Sequence, residues 1–352
     1  MPRPAFTLID ALRGLAALAV FGFHADKATG VTFWPASGYL AVDLFFLLSG
    51  MVIAHSYDDR IANGLSAGRF IVIRIIRFYP LYVVGVLLAA LVAFYTLYSG
   101  RASQLDSPSK IIAASALTMV FIPQGFGGAL FQLNQPYWSL FLELVINAVF
   151  AVCWRWLTLR NLIGVVVASA VALIWLAQPV ALAGGNSWAS FPLGAARVSF
   201  SFFLGVLIVR HLPRRRRTAS NKVALASLVA LGGLLAIEPG KWRYLYDLAC
   251  AFILFPSFGA IAMRCDVGPQ LLPLTKRLGD ASYGIYVLHA PATAIAFGLL
   301  AFIAPVDRWA PWSFLLIALA LFGIVLWLDR YVDGPIRRRL SAHHAGHAPQ
   351  VA

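Results

Sequence analysis

Leu8-Ile9-Asp10-Ala11-Leu12-Arg13-Gly14-Leu15-Ala16-Ala17-Leu18-Ala19-Val20-Phe21-Gly22-Phe23-His24 forms the first apolar run of the chain. Its length and composition are those of a membrane-spanning helix, which needs about 20 mostly apolar residues. The arginine and the histidine are separated by about 1,100° of helical rotation, so they share one face, about 16 Å apart along the axis. Ionisable groups are expensive in hydrocarbon, so this face is expected to look into a helix bundle and to mark a functional site.

The composition extends that reading to the whole chain. Of 352 residues, 61% are apolar and only 12% charged, against about 25% charged in soluble domains. The chain therefore reads as an all-α, polytopic integral membrane protein. The net charge of +14 sits in short clusters between apolar runs, such as Arg214-Arg215-Arg216-Arg217 and Arg337-Arg338-Arg339. That distribution marks cytoplasmic loops and argues against nucleic acid as a partner. Cys153, Cys250 and Cys265 lack CxxC spacing, and Cys153 and Cys250, in apolar stretches, read as small core residues. No internal repeat and no cleavable signal peptide are evident.

Candidate spans are 8–27, 38–56, 78–99, 137–156, 161–178, 196–211, 222–238, 244–263, 280–303 and 312–332. A shorter apolar piece, about 110–122, leads into Pro123 and Gln124-Gly125-Phe126-Gly127-Gly128. If it crossed, every later basic cluster would fall outside, against the charge bias. The expectation is therefore about ten crossings, both termini cytoplasmic, and a re-entrant or half-helix segment around 110–137 on the outer side. Residues 1–337 form the membrane domain, and 338–352, with His343, His344 and His347, read as a disordered polar tail.

Several polar groups stand out against this background. Asp43 lies in a phenylalanine-rich run, Gly38-Tyr39-Leu40-Ala41-Val42-Asp43-Leu44-Phe45-Phe46, followed by Ser49-Gly50. The stretch Arg69 to Tyr82, with Arg74 and Arg77, alternates arginine with apolar residues at helical spacing and is expected to break at Pro80. Such a helix suits anionic membrane lipid or a polyphosphate ligand from the cytosol. Ser139, Glu143 and Asn147 form one stripe on the helix that opens with Trp138, and Ser282, Tyr286 and His289 form another. On the residues alone, these groups fit an enzyme or a proton-coupled transporter or flippase equally well.

Taken together the motifs resemble the acyltransferase 3 family, bacterial membrane enzymes that O-acylate glycans and other hydroxyl acceptors. The resemblance rests on R-x10-H at Arg13 and His24, G-x-x-x-V-D-L-F-F-x-L-S-G at 38–50, and R-x-x-R-x-x-P-x-Y at 74–82. W-S-L-x-x-E at 138–143 and S-Y-x-x-Y-x-x-H at 282–289 complete it. The family's closing E-x-P-x-R carries Asp333 here in place of the glutamate, and no hydrolase-like domain follows. The resemblance implies an enzyme of the bacterial inner membrane with no permanently bound cofactor or metal. Its donor substrate is acyl-CoA, acetyl-CoA by default, and its acceptor a hydroxyl-bearing glycan or lipid-linked saccharide. It implies catalytic roles for His24, Glu143, Arg13 and Asp43, with His24 as base and Glu143 or Asp43 orienting it. Substrate binding falls to Arg74, Arg77, Tyr82, Trp138, Ser139, Ser282, Tyr286 and His289. Oligomeric state is left open.

Overall fold

The computed structural model describes residues 6–29, 35–101, 103–178, 181–213, 217–300 and 306–346. Arg3, Arg214, Arg215, Arg216 and His347, which entered the charge and tail readings, lie outside them. The helices are α1 (Thr7–Thr29), α2 (Ala41–Ala62), α3 (Ala67–Tyr98), α4 (Pro108–Met119), α5 (Tyr137–Cys153), α6 (Leu159–Leu176) and α7 (Phe191–His211). There follow α8 (Asn221–Ala236), α9 (Arg243–Ala249), α10 (Phe255–Ala262), α11 (Leu272–Leu300), α12 (Val306–Leu328) and α13 (Gly334–Gly346). Cys250–Leu254 joins α9 to α10, and Asp329–Asp333 joins α12 to α13, each as a single π-helical turn. Among the described residues, nine helical segments are long and apolar enough to span a membrane, and α8, with 16 residues, is a shorter apolar helix. The protein is thus a multi-pass helical membrane protein; its strands, Thr218–Ala219 and Cys265–Asp266, are two residues each.

Hydrogen bonds sort the loops to two ends of the bundle. At one end Arg210 of α7 pairs with Asp58 at the foot of α2 and donates to Leu157 after α5, while Thr7 of α1 and Arg217 reach Asp266. At the other end Tyr39 before α2 donates to Asp247 of α9, and Ser37 to Ile237 after α8. Asn186, between α6 and α7, donates to Gln135, just before α5. The segment from the end of α3 to the start of α5 returns to the end it left. Its short helix, α4, is held there by Tyr82, whose hydroxyl donates to Thr118 O at 2.7 Å. The apolar piece at 110–122 does not add a crossing.

Two expectations about element limits change. The arginine-rich helix does not break at Pro80: α3 runs through it from a Ser66 cap to Tyr98. A proline removes one backbone bond, here the one to Ile76 O, and a bundle interior tolerates that loss; Pro80 is buried, and the same turn is tied to α11 by Tyr283 Oη, which donates to Phe78 O at 2.5 Å. At the C-terminal end the helix continues to Gly346, past the proposed boundary at 338, started by Arg337 bridging Asp329 and Asp333.

Lipid offers no hydrophobic drive between helices, so close backbone approach at small residues does much of the packing. The α2–α7 contact is of this kind. A Cβ on Gly50 would run into the Phe202 carbonyl, and one on Gly205 into the Leu47 carbonyl. Gly50→Val should therefore cost about 1–3 kcal/mol by overpacking. A lowered Tm in detergent is the expected outcome, and an unchanged Tm would mean the helices do not meet there.

Candidate active site

A cavity of about 190 Å³ opens among α1, α2, α3, α5 and α11. Arg13, Arg60, Arg74 and Arg77 line it together with one carboxylate, Glu143, and the hydroxyls of Ser49, Ser139, Ser282 and Tyr286. Helical spacing explains the convergence: Ser139 and Glu143 are one turn apart on α5, and Ser282 and Tyr286 one turn apart on α11. Glu143 Oε1 accepts from Ser49 Oγ at 2.7 Å and from Arg74 Nη2 at 3.3 Å. Arg74 is buried and lies over the Phe78 ring. Arg60 and Arg77 are exposed at the same end. Four guanidiniums against one carboxylate leave the cavity strongly positive, a setting that suits phosphate groups and a developing oxyanion.

Further along α5 and α11 the cavity wall is Ser139 and Tyr286, whose hydroxyls lie 2.5 Å apart. Both also reach the Pro136 carbonyl, at 3.0 and 3.3 Å. From Tyr286 the contacts run to His289, ring to ring at 5.8 Å, and from His289 to His24 at 4.8 Å. His289 Nδ1 lies 2.6 Å from Tyr286 O, and His24 Nδ1 2.9 Å from Val20 O. A carbonyl oxygen only accepts, so both Nδ1 atoms carry hydrogen and Nε2 is the basic nitrogen of each neutral ring. His289 is fully buried and its Nε2 has no partner among the described residues.

Of the residues singled out in the sequence, Arg13, Arg74, Arg77, Ser139, Glu143, Ser282 and Tyr286 meet at the cavity, with His289 and His24 behind Tyr286. Ser282 Oγ donates to Gly279 O at 2.6 Å. The two carboxylates have partners other than His24. Glu143 holds Ser49 and Arg74. Asp43 is gripped by Arg197, Nε to Oδ1 at 3.0 Å and Nη2 to Oδ2 at 2.6 Å. Arg197 also donates to Gly184 O and Tyr39 O and lies over the Trp138 ring. Tyr82 and Trp138 do not line the cavity: Tyr82 stacks between Phe121 and Tyr137, and Trp138 packs on Phe46. Sequence reasoning missed Arg197, although a lone arginine in an apolar helix signals a buried acidic partner. Arg60, which also lines the cavity, belongs to none of the motifs quoted above.

The sequence model of the acyltransferase 3 family, described as an acyltransferase domain, matches residues 6–328. The chain belongs to this family. It is an enzyme that transfers acyl groups other than aminoacyl groups, which decides against the transporter reading. Protein 2 in the picA locus of Rhizobium radiobacter is 39% identical over 187 residues, 49% of this chain and 95% of that protein. Peptidoglycan O-acetyltransferase OatA of Listeria monocytogenes is 25% identical over 94% of this chain and 55% of its own length. Acyltransferase MdmB of Streptomyces mycarofaciens is 24% identical over 95% of this chain and 92% of its own. No solved structure matches significantly.

The acyltransferase's buried Asp43–Arg197 pair, with side chains 1% and 2% exposed, has a measurable consequence. Arg197→Ala strands a buried carboxylate and should cost about 3–5 kcal/mol, whereas the double change Asp43→Asn with Arg197→Met should cost less. Thermal denaturation in detergent checks both; equal Tm values for Arg197→Ala and wild type would remove the pair from the scaffold.

Proposed function

We propose that the chain moves an acyl group, acetyl in the simplest case, from acyl-CoA on the cytoplasmic side to a saccharide hydroxyl on the outer side. The observation that carries this reading is the arginine-lined cavity backed by two imidazoles. The end of the bundle bearing Arg60, Arg69, Arg155, Arg160, Arg210 and Arg217 is cytoplasmic by the positive-inside rule. At the opposite end, Lys110 is paired with Asp106 and Arg243 with Glu238.

In this reading Arg60 and Arg77 meet the CoA phosphates at the mouth, and the thioester arm extends toward Arg13 and Arg74. Arg13 stabilises the oxyanion as the acceptor oxygen attacks the thioester carbon. The new C–O bond forms, the C–S bond breaks, and the hydroxyl proton passes to His24 Nε2 and then to the departing thiolate. His289 packs against that imidazole, and Glu143 fixes Arg74 rather than the base. Ser139 and Tyr286 stand between the arginine cavity and the imidazoles, so their hydroxyls have to part for the thioester carbon to come within reach of both Arg13 and His24. The saccharide acceptor and the acetyl group are supported by the name of the Listeria relative, a peptidoglycan O-acetyltransferase.

Membranes incubated with radiolabelled acetyl-CoA test the scheme. His24→Ala should lower label transfer to saccharide by about 10²-fold or more, as loss of a general base does, at unchanged protein level. Arg60→Ala with Arg77→Ala should raise the acetyl-CoA KM about tenfold, equivalent to about 1.4 kcal/mol. Full transfer by His24→Ala, or an unchanged donor KM in the arginine variant, contradicts the assigned roles.

A further inference from the structure

A second cavity, of about 430 Å³, lies at the far end of α5 from the arginines, among the segments 103–105, 129–135 and 186–187. We propose that this cavity, walled by Ser103, Gln104, Gln132, Gln135, Asn186 and Ser187, is a docking subsite for a neutral saccharide acceptor. The assignment rests on the saccharide reading above and adds the site and the charge class of the acceptor.

Its lining is polar but carries no charge: four carboxamides and two hydroxyls, with Leu105 and Ala129. Of the ionised groups that flank it in sequence, Arg101 lies over the Tyr95 ring, and Asp106 is paired with Lys110 at 2.8 Å. Sugar hydroxyls each donate and accept, so a wall of amides offering both roles without charge matches them, whereas an anionic ligand would call for arginine. The internal bonds of the wall leave that mixture available. Gln132 Nε2 donates to Phe126 O and Ala129 O at 3.2 and 3.1 Å, so its Oε1 remains as an acceptor. Asn186 Nδ2 donates to Gln135 Oε1 at 3.2 Å, which leaves Asn186 Oδ1 to accept and Gln135 Nε2 to donate. The volume falls in the range of small-ligand clefts, roughly 300–1,000 Å³, and suits roughly a disaccharide.

The loops that form the cavity are held in place. Leu130 N donates to Asn186 O at 2.9 Å and Trp188 N to Gly128 O at 3.1 Å, bridging the two loops in antiparallel fashion. Buried Gln124 donates to Thr118 Oγ1 and accepts from Gln132 N at 2.6 Å. Gly127, at φ +74°, takes a left-handed conformation that favours glycine and brings the Gln132 and Gln104 amides close to the backbone. Trp188, next in sequence to Ser187, is half exposed outside the lining and pins the loop through Nε1, which donates to Gln124 O at 2.8 Å.

The same backbone connects this cavity to the histidines. Asn134 Nδ2 donates to Val287 O, two residues before His289, and Pro136 O receives the Ser139 and Tyr286 hydroxyls. A saccharide seated against Gln135 therefore lies at the end of α5 nearest the base.

The test uses the full-length protein in membranes, acetyl-CoA, and neutral tetrasaccharides of glucose and of N-acetylglucosamine, with tetragalacturonate as the anionic comparison. Gln104→Ala with Gln135→Ala should raise the KM for a neutral tetrasaccharide about tenfold, the loss of about one hydrogen-bond pair, with the acetyl-CoA KM unchanged. Gln135→Trp, which fills the cavity, should do the same, so that a folding defect in one variant does not decide the matter. An unchanged saccharide KM in both variants, or a preference for the anionic probe, overturns the subsite while leaving the acyl transfer reading intact. Wild-type protein that consumes acetyl-CoA but labels no saccharide overturns the acceptor class and the subsite with it.

Discussion

The carboxylate of Glu143 joins three helices at one point: it sits on α5, accepts from Ser49 of α2 and is met by Arg74 of α3. With side chains only 7% and 15% exposed, neither charge is fully hydrated, so each relies on the other and on the hydroxyl beside them. Meeting that requirement keeps α2, α3 and α5 apart by the length of these side chains. The resulting gap is the cavity in which Arg13, Arg60 and Arg77 also end. Asp43 and Arg197 solve the same problem elsewhere, joining α2 to α7 with every donor of the contact inside protein.

These two ion pairs divide the polar residues by task. One pair is sealed and holds the bundle together. The other is half open and gives a positive pocket its shape. The two histidines are set apart from both, each with Nδ1 tied to a carbonyl of its own helix, so that rotamer and tautomer are fixed by local backbone rather than by a carboxylate. Tyr286 and Ser139 separate the imidazoles from the arginines. A thioester from one end and a hydroxyl from the other would meet at that wall, which is where a membrane transferase must exclude water.

Much of this was legible in the sequence. Apolar runs of spanning length locate the membrane helices, nine of them long enough to cross among the described residues, and loop charge argues against a further crossing at 110–122. Helical spacing places Ser139 beside Glu143 and Ser282 beside Tyr286. What spacing cannot supply is which helix faces which. The sequence offers Glu143 or Asp43 as the group that orients His24, with nothing to choose between them or against both. The choice of Arg74 and Arg197 instead depends on rotations about helix axes and on contacts such as Gly50 against Phe202, which only the assembled bundle fixes. Pro80 shows the same limit: its local tendency to end a helix is overruled where the residue itself is buried against neighbouring helices. The amide-lined cavity is built from loops whose residues have no periodicity to read.

The central claim is that the arginine mouth and the amide-lined cavity face opposite aqueous compartments. Single cysteines introduced as Arg60→Cys and Gln135→Cys, in a background lacking Cys153, Cys250 and Cys265, test it with a membrane-impermeant maleimide on intact spheroplasts. The account predicts labelling of Gln135→Cys in intact spheroplasts and of Arg60→Cys only after permeabilisation. Labelling of both from the same side would contradict it.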